Sequence, residues 1–570
     1  MKKSLMKVGA LACASIMMVG GFAACGGQED IVSDGKTVNV RVFLGGFGAD
    51  WLTELKTKFE SAYSAEGYKI NILTPANDNQ GTVVINELAG KSSGVDLYFT
   101  EAVTVESVTH GDYGMLVEDL SEIVYNQTPI GFDGQPEEGK IRDKIKAGVA
   151  DNKNTYYNGK EYGFCWVASA GGLTVNMDKL AKYELEVPNT TNELIECFDT
   201  IYNGTTLSNG TKVGASSVTG IYPHTFPGGN SGYPQMMYQT LLAQYMGLDE
   251  YKKFMSFTND AGEYRLTDGY EVYNDPAIYE MLKASYQIFD RTYATKGTTT
   301  QDSDQANAKI MKKTSGAVFL TNGNWMLNEV KLNYSTESKS LRFFKIPVIS
   351  ALGTKVFGAG TTANITDAEK CDDVLSAVVA YIDADKTAEE IVSLLASENV
   401  TVTVADVNRI IEARRMYFSR SFNQNVYIAK DSKVKEIAAL FLRMYASADN
   451  AELFASKANA FTPFDTRTQV DSSYDFVKDT AKLINHKDSI AFNGLAEVSG
   501  LRQEVGQGAL IIGTSYLANK IVQDNVSKYD EQGKLYATDA VYAEAADKLF
   551  KSNYQTAQSK WADWLASAGY

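Results

Sequence analysis

The sequence predicts an α/β protein with more than one lobe, because of its length and of an alternation of strands and helices near its start. A segment rich in β-branched residues at 37–44 ("TVNVRVFL"), an amphipathic segment from Asp50 and a second β-rich segment at 68–74 ("YKINILT") follow one another. This order is typical of a βαβ unit, and therefore of a parallel sheet with ligand-facing loops at the carboxyl ends of its strands. The chain has 570 residues, more than one ordinary domain needs, so we expect two or more lobes.

The segment from Asp50 is predicted to be a helix that packs on this sheet. Trp51, Leu52, Leu55 and Phe59 recur every three to four positions and form one apolar face. Asp50 is a good N-cap residue, so we expect the helix to begin there. A third strand is predicted at 94–100 ("GVDLYFT"), which is also apolar and also ends in a polar loop.

The middle of the chain is mostly helical in its periodicity, with hairpins at two places. Asn158-Gly159 in "YYNGKEYGF" is a strong hairpin signal, and we expect a second hairpin at 262–269 ("GEYRLTDG"). A strand passing into a helix is predicted for "GGLTVNMDKL" (171–180) and again for "SGAVFLTNGNWMLNEV" (315–330). Two more strands are predicted at 341–350 and 355–365 ("KVFGAGTTANI"). A helix pair is predicted within 434–464, and a helical tail from 537 onward.

The first 24 residues have the pattern of a secretory signal peptide. Lys2, Lys3 and Lys7 precede an uncharged apolar run at 8–24, which is at the lower limit of the length that spans a membrane. Small residues follow the run, where a membrane anchor would carry a cluster of charges. We therefore expect residues 1–24 to be removed from an exported protein.

The end of this leader resembles the signal of bacterial lipoproteins. The letters "FAAC" end at Cys25 and are followed by two glycines. In that family an aliphatic residue and two small residues precede a cysteine that receives a diacylglyceryl group; Phe22 stands here in place of the usual Leu. The resemblance implies that Cys25 is lipidated and that 25–36 tether the protein to the outer face of the cell membrane. An ordinary secreted protein with an incidental cysteine is the alternative.

Composition and motifs exclude several functional classes. The net charge of −16 and the pI of about 4.9 argue against a nucleic-acid partner, since phosphate binding needs clustered Lys and Arg. Cys165, Cys197 and Cys371 are far apart and form no metal motif with histidine, so we expect buried free thiols and no metal site. "GGFGAD" lacks the third glycine of a dinucleotide fingerprint, and we expect no cofactor.

Taken in order, the segments resemble the extracellular carbohydrate-binding proteins of bacterial ABC importers, the family of maltose-binding protein. The landmarks span 37 to 465 and include the first βαβ segment, "GVDLYFT", "YYNGKEYGFCW", "GGLTVNMDKL", "VPNTTNELIE", "SGAVFLTNGNWM", "FFKIPV" and the helix pair. The resemblance implies a two-lobed α/β fold of the periplasmic-binding-protein type, with hinge strands and a ligand cleft between the lobes.

The same resemblance implies domain boundaries. The chain would cross between the lobes near 167–171, 357 and 461. Lobe one would comprise 37–168 and 358–460, and lobe two 169–357 and 461–570. Residues 385–430 and the tail beyond 470 correspond less clearly, and we interpret them as an insertion and a C-terminal elaboration.

A sugar site needs flat apolar surfaces beside directional donors and acceptors, and several loops offer both. Trp325 is the first candidate, because the family's matching Gly-x-Trp places a ring against a sugar. Tyr222 lies in a loop at 217–235 that would close over the cleft, contact a permease or simply pack. Core packing is the alternative for each aromatic residue. The candidate ligand-binding residues are Gly46, Phe47, Thr100, Glu101, Trp166, Tyr222, Asn324 and Trp325.

We therefore hypothesise a lipid-anchored extracellular receptor, and no enzyme, that captures a sugar, most simply an oligosaccharide. Its expected partners are the carbohydrate ligand, the subunits of an ABC permease and, through the lipid, the membrane; we expect a monomer. A secreted glycoside hydrolase is one alternative, since two well-placed carboxylates would suffice and the chain has 70 acidic residues. A glycan-binding adhesin that imports nothing is the other.

Overall fold

The structure is a computed structural model that describes residues 31–42, 45–73, 80–90, 93–101, 103–111, 113–146, 155–230, 232–421, 424–465, 470, 472–492, 516–526, 528–529, 535–536, 539–567 and 570. The predicted signal peptide and Cys25 lie outside these residues. The α/β class predicted from the sequence is confirmed.

The strands range from two to eight residues, and most of the longer ones belong to two separate sheets. They are β1 (Thr37–Val42), β2 (Lys69–Ile72), β3 (Leu97–Phe99), β4 (Tyr156–Tyr157), β5 (Lys160–Glu161), β6 (Phe164–Cys165), β7 (Gly171–Asn176), β8 (Thr205–Thr206), β9 (Lys212–Val213), β10 (Ile221–Thr225), β11 (Gly316–Gly323), β12 (Leu341–Phe344), β13 (Met416–Phe418), β14 (Asn425–Ile428), β15 (Ile490–Phe492), β16 (Lys528–Tyr529) and β17 (Leu535–Tyr536).

Helices cover both sheets and make up most of the C-terminal tail. They are α1 (Asp50–Ala62), α2 (Gln80–Gly90), α3 (Val105–Thr109), α4 (Met177–Ala181), α5 (Thr191–Asn203), α6 (Ser216–Thr219), α7 (Gly232–Met246), α8 (Leu248–Ser256), α9 (Pro276–Ile288), α10 (Ser303–Met311), α11 (Met326–Val330), α12 (Ala351–Phe357), α13 (Ala368–Asp383), α14 (Ala388–Ser397), α15 (Val404–Arg415), α16 (Lys435–Tyr445), α17 (Ala448–Ala458), α18 (Asp475–Asn485), α19 (Tyr516–Asp524) and α20 (Asp539–Ser567). Short 3₁₀ or π turns span Gly45–Phe47, Ser121–Tyr125, Ile141–Lys144, Gly269–Asn274 and Glu337–Ser340.

Lobe one is the part of the molecule around the first sheet, in which the strand order is β2-β1-β3-β14-β6. β1 pairs in parallel with β2 and with β3, as the βαβ prediction requires. β14 is antiparallel to both β3 and β6, and β6 is the edge strand. The predicted helix is α1, whose Trp51, Leu52, Leu55 and Phe59 are buried; its N-cap position is Ala49, so Asp50 is the first helical residue.

Lobe two is the part around the second sheet, in which the strand order is β10-β11-β7-β12. β10 and β11 are parallel, whereas β7 is antiparallel to both β11 and β12. β7 and β11 are buried along their whole length, and α5, α7, α10 and α18 cover the sheet. The long tail helix α20 packs against α9, so the C-terminal elaboration adds to lobe two.

Crossing segments join the lobes and are hydrogen-bonded to one another. Ala168 pairs with Phe461, and Ala170 pairs with Ser419, in isolated antiparallel bridges. The amide of Ser169 also donates to Oγ of Ser421 over 2.9 Å. All six residues are buried, so the junction forms a buried, three-stranded hinge.

Two local predictions are wrong. Residues 355–365 form no strand, because α12 ends at Phe357 and buries Leu352, Gly353, Val356 and Phe357 on a face with helical spacing. A Cβ at Gly353 would lie 2.8 Å from the carbonyl oxygen of Cys371, so glycine permits the close packing of α12 on α13. At 262–269 the expected hairpin is absent too: the chain turns earlier and makes only an isolated bridge between Thr258 and Tyr264.

The hairpin at Asn158-Gly159 and the helix pair are confirmed. β4 and β5 pair across the turn, and both turn residues have positive φ, 48° and 81°, which the Asn-Gly pair tolerates. The helix pair is α16 and α17, which pack on α1. Cys165, Cys197 and Cys371 are buried free thiols, as expected.

The helices at 368–415 contact lobe two, although the sequence analysis assigned 358–460 to lobe one. Oγ1 of Thr190 donates to Asp372 in α13 over 2.9 Å, and the amide of Leu248 donates to Glu412 in α15 over 3.0 Å. We therefore propose that lobe one resumes only at 416–424. Residues 385–430 are moreover not wholly an insertion, because β14 is a central strand of lobe one.

Within the described residues, no helix is both long and apolar enough to cross a membrane.

Candidate functional site

Trp325 lies at the junction of the two lobes, between the end of β11 and the start of α11. A Cβ at Gly323 would lie 2.2 Å from the indole ring, so only glycine lets the ring lie across the strand end. The indole Nε1 donates to the hydroxyl of Tyr233 over 3.2 Å, and the two rings meet edge to face at 6.0 Å. Trp325 keeps 8% of its surface exposed, which leaves it at the margin of the core.

Gly46 is the point at which lobe one touches this tryptophan. A Cβ at Gly46 would lie 2.9 Å from the Cβ of Trp325, so the two chains approach as closely as glycine allows. Beside this contact, Nδ2 of Asn459 in lobe one donates to Oδ1 of Asn328 in lobe two over 2.9 Å. The lobes are thus in contact at Trp325.

Phe47, Thr100 and Trp166 lie beneath the lobe-one side of the junction. Trp166 is fully buried; Phe47 packs edge to face on it, at 5.7 Å between ring centroids, and Trp51 stacks on it at 5.6 Å. Its Nε1 donates to the carbonyl of Thr100, whose hydroxyl in turn donates to the carbonyl of Asn425. Their hydrogen bonds and ring contacts assign these three residues to the core of lobe one, where no face is free to meet a sugar.

Glu101 follows directly and is half-buried at the edge of that core. Burial raises the pKa of its carboxyl, and the positive charge of Arg420 opposes part of the rise. Arg420 stands on the crossing segment at 419–421, beside the first residues of α7. The charge of Arg420, on the hinge, therefore acts on a carboxyl of lobe one.

Glu329 supplies a second carboxylate, from α11 in lobe two. Nδ2 of Asn307 donates to its Oε2 over 2.8 Å, and Nδ2 of Asn322 donates to Oδ1 of Asn307 over 2.8 Å. Burial raises the pKa of Glu329 to about 7, despite the hydrogen bond from Asn307. Its charge also contributes to the raised pKa of Tyr233, about 12, for which burial is the main cause.

Asn324 acts on the hinge. Its side-chain Oδ1 accepts from the main-chain amide of Ala170 over 2.9 Å, and its main-chain amide donates to the carbonyl of Ala170 over 3.0 Å. It is buried and clamps β11 to the first crossing segment, so it positions its neighbour Trp325.

Tyr222 is not brought to this junction. It lies in β10 and pairs with Ala317 of β11, six positions before Gly323. At about 3.3 Å per residue, roughly 20 Å of strand separates it from the Trp325 end. On the same strand His224 is fully buried against Phe198, Phe226 and Phe289, and burial lowers its pKa to about 3.

The sequence analysis missed Glu329 and Arg420, and noticed Tyr233 without selecting it. The signal for Tyr233 was its place in an aromatic, glycine-rich loop just before a helix. Glu329 could have been found at the spacing of one helical turn after Trp325. Arg420 had no such signal, because its segment was interpreted as an insertion.

The arrangement can bind a polar ligand and shows no feature that requires chemistry. The Trp325–Tyr233 pair lies where the lobes meet, with Arg420 against the neighbouring Gly232 and Glu329 one helical turn after Trp325. Among the described residues no cluster of His, Cys, Asp and Glu could hold a metal ion. A separate cavity of about 450 Å³ in lobe two is lined by charges that pair among themselves, such as Lys253 with Glu250 and Asp260, and Arg265 with Asp268.

No protein-family profile and no curated protein sequence matches the chain. Solved structures do resemble it. A chitin oligosaccharide binding protein is 12% identical with a TM-score of 0.50, over 91% of this chain and 99% of that one. The SBP RafE in complex with raffinose is 12% identical with a TM-score of 0.51, over the same shares. The bacterial solute receptor AcbH, with a substrate preference for β-D-galactopyranose, is 11% identical with a TM-score of 0.52, over 92% and 100%. The chain therefore has the two-lobed fold of these solute receptors.

Proposed function

We propose that the protein is a receptor that captures a sugar between its two lobes. The observation that carries the proposal is the position of Trp325, which belongs to lobe two, lies against Gly46 of lobe one and donates to the hydroxyl of Tyr233. A sugar offers C–H faces and hydroxyl edges, which match an aromatic ring beside directional polar groups. Three solved structures with this fold are described as binding sugars.

The capture step depends on closure. A ligand favours the closed state only through its differential affinity for that state, so contacts must come from both lobes. Glu101 on one side and Trp325 with Glu329 on the other meet that requirement. Micromolar affinity corresponds to about 8 kcal/mol, which one or two stacked rings and several hydrogen bonds supply.

Delivery and anchoring complete the proposal. The closed receptor presents a surface from both lobes to an ABC permease in the cell membrane. The leader and Cys25 would place a monomeric protein on the outer face of that membrane, held by its lipid. Replacing Cys25 by Ala should abolish metabolic labelling with a fatty-acid analogue and leave sugar affinity unchanged; labelling that persists would contradict the anchoring site.

The function is tested by titrating residues 26–570 with neutral oligosaccharides in a calorimeter, followed by analysis of the sugar afterwards. We expect saturable binding, an unchanged sugar, and strong loss of affinity in Trp325→Ala. Tyr264→Ala, which removes an exposed ring on the far side of lobe two, is the matched control and should bind as the wild type does. Steady release of shorter sugars would show that the protein is a hydrolase and not a receptor. If small-angle scattering shows no compaction of the protein at saturating sugar, an adhesin is favoured.

A further inference from the structure

Residues 31–36, the last part of the proposed tether, are bound to the surface of lobe one and are called the docked segment below. Asn39 of β1 holds Val32 by both polar groups of its main chain. Nδ2 of Asn39 donates to the carbonyl of Val32 over 2.8 Å, and Oδ1 accepts from the amide of Val32 over 3.0 Å. Nδ2 also donates to Asp96, and Oδ1 also accepts from Nδ2 of Asn71, so the hydrogen-bonding capacity of this buried amide is filled.

The two ends of the docked segment are fixed as well. A Cβ at Gly94 would lie 2.4 Å from Cγ2 of Ile31, and Gly94 has a φ of 68°, so glycine is needed for Ile31 to lie there. Ile31 packs against the apolar cluster that contains Tyr98. At the other end, the carboxylate of Asp34 accepts from the amide of Thr37 over 2.7 Å and turns the chain into β1. The docked segment is therefore part of the body of lobe one.

Docking shortens the link between lobe one and the proposed lipid. Ile31, the first residue of the docked segment, is six residues beyond Cys25. An extended chain spans at most about 3.6 Å per residue, so Ile31 lies within about 22 Å of the lipidated residue. If the segment were free, Thr37 of β1 would be the first fixed residue, and the reach would double to about 43 Å. The docked segment therefore keeps the face of lobe one around Ile31 close to the bilayer.

That face carries exposed lysines. The docked segment and the loop before α16 line one cavity of about 210 Å³, which Lys430 and Lys433 border. Both lysines are exposed, and neither forms an ion pair with a described residue. Asp431 between them is exposed too, while Asp34 and Lys36 of the docked segment balance each other, so the face has a small excess of positive charge in a chain of net charge −16. Such lysines are attracted to the phosphate groups of an anionic bilayer within about one Debye length.

We propose that the face formed by the docked segment and by Lys430 and Lys433 lies against the anionic outer surface of the bilayer that holds Cys25. This inference rests on the proposed anchoring through Cys25 and names the surface of the protein that meets the membrane. The docked segment sets the distance, and the two lysines contact phosphate groups of the lipids. Lobe one is then held at the membrane, and closure on a ligand moves lobe two.

The test is energy transfer in the full-length lipidated protein, reconstituted in vesicles of equimolar phosphatidylglycerol and phosphatidylcholine with an acceptor dye on lipid headgroups. The donor dye is attached through Glu436→Cys, an exposed position in the first turn of α16, or through Val218→Cys, which is 80% exposed in lobe two. Cys165, Cys197 and Cys371 are buried, so the dye reacts with the introduced thiol. The donor at position 436 should lie within about 22 Å of the headgroups, and the donor at position 218 well beyond that distance.

Three changes release or lengthen the tether. Asn39→Ala removes the clamp on the docked segment, and Gly94→Ala adds a methyl group that collides with Ile31. A Gly-Ser insertion after Gly27, as long as the docked segment, leaves the docking intact. Each change should move the donor at position 436 outward by up to about 20 Å, the gain in reach. Thermal unfolding shows which variants fold; if Asn39→Ala does not, Gly94→Ala and the insertion carry the test.

The lipid contact is tested by combining Lys430→Gln with Lys433→Gln. On the anionic vesicles this double variant should lower the energy transfer from position 436 about twofold, because the attraction to phosphate is lost. On vesicles of phosphatidylcholine alone it should match the wild type. Lys551→Gln, in the tail helix α20, is the matched control and should give the transfer of the wild type on both kinds of vesicle. Unchanged transfer in the double variant on anionic vesicles would overturn the lipid contact.

Equal transfer from positions 436 and 218, in a protein that is anchored and binds sugar, would overturn this inference and leave the receptor function standing. Unchanged transfer in folded Asn39→Ala and Gly94→Ala would also overturn it, since the docked segment would then not set the distance. A purified chain whose mass shows no lipid would overturn both this inference and the anchoring through Cys25. Sugar titration of the same samples in a calorimeter tests capture separately.

Discussion

Two tryptophans, Trp166 in lobe one and Trp325 in lobe two, lie near the same junction and have opposite surroundings. Trp166 is enclosed by aromatic rings, with its single donor satisfied by a main-chain carbonyl. Trp325 donates to a tyrosine hydroxyl, precedes the helix that carries Glu329 and touches the other lobe at Gly46. The difference teaches that the partners of an aromatic residue, more than its place in a motif, decide whether it builds the core or meets a ligand.

The largest expected effect tests the core side of this comparison. Trp166→Ala should lower the free energy of unfolding by about 3–5 kcal/mol, because it opens a cavity among Trp51, Phe47 and Phe99. Urea denaturation followed by circular dichroism measures the change. A loss below 1 kcal/mol, with ligand affinity reduced instead, would move Trp166 from the core to the ligand surface.

The second prediction concerns the pKa of Glu329, which burial raises. Its folded pKa of about 7 lies above the ordinary 4.5, so the folded state holds the proton more tightly than the unfolded state does. The stability from this proton is fully present below pH 4.5 and is lost as the pH rises through about 7. The free energy of unfolding of the wild type should therefore fall by about 1–3 kcal/mol between pH 4.5 and about 7. Glu329→Gln should not show this fall.

Urea unfolding at intervals between pH 4.5 and 8 measures the difference between the two proteins. The charge of Asp304 affects the pKa of Glu329, and that of Glu329 affects Tyr233. Other carboxyls with raised pKa values, such as Glu101 and Asp372, are present in both proteins. Only the difference between the two pH profiles is therefore attributed to Glu329. Parallel pH profiles would show that the Glu329 carboxyl has an ordinary pKa.

Trp325→Ala tests the ligand side. Its expected cost is about 2 kcal/mol of sugar-binding free energy, or roughly thirtyfold in affinity, as for a central aromatic residue in an interface. The free energy of unfolding should change less than in Trp166→Ala, because Trp325 is at the margin of the core. Calorimetry and urea denaturation on the same samples compare the two losses; a variant that loses stability but keeps its affinity contradicts the assignment.

Gly46→Ala gives the smallest expected effect, since it perturbs only the contact between the lobes. A new Cβ 2.9 Å from Trp325 must push the lobes apart, which should shift the open–closed equilibrium by about 1 kcal/mol toward the open form. Small-angle scattering of the unliganded protein should show a larger radius of gyration than wild type. An unchanged radius of gyration would mean that closure of the lobes does not depend on the close approach of Gly46 to Trp325.

The sequence predicted much of the fold, and fewer of the site's residues. β1, α1 and the Asn158-Gly159 hairpin have strong local signals, because periodicity and turn chemistry act within a few residues. The family resemblance pointed to Trp325. The burial of Trp166 and Thr100 was not foreseen, because it depends on distant partners such as Asn425, which no local pattern reveals. The place of Arg420 beside α7 depends on the long-range pairing of its neighbour Ser419 with Ala170, a property of topology.

The same physical reason explains the domain boundaries. The helices at 368–415 show the same amphipathic periodicity whichever lobe they cover. Their place is decided by contacts such as Thr190 with Asp372, which join residues far apart in sequence. A pattern within one helix predicts that a face is buried, and says nothing of what buries it.

The most direct test of the central claim is a crystal structure of residues 26–570 with the neutral oligosaccharide that binds most tightly. The account predicts a sugar ring packed on Trp325, with hydroxyl groups bonded to polar groups and with both lobes in contact with the ligand. A sugar seated in the polar cavity of lobe two around Lys253 and Arg265, with Gly46 still against Trp325, would contradict it.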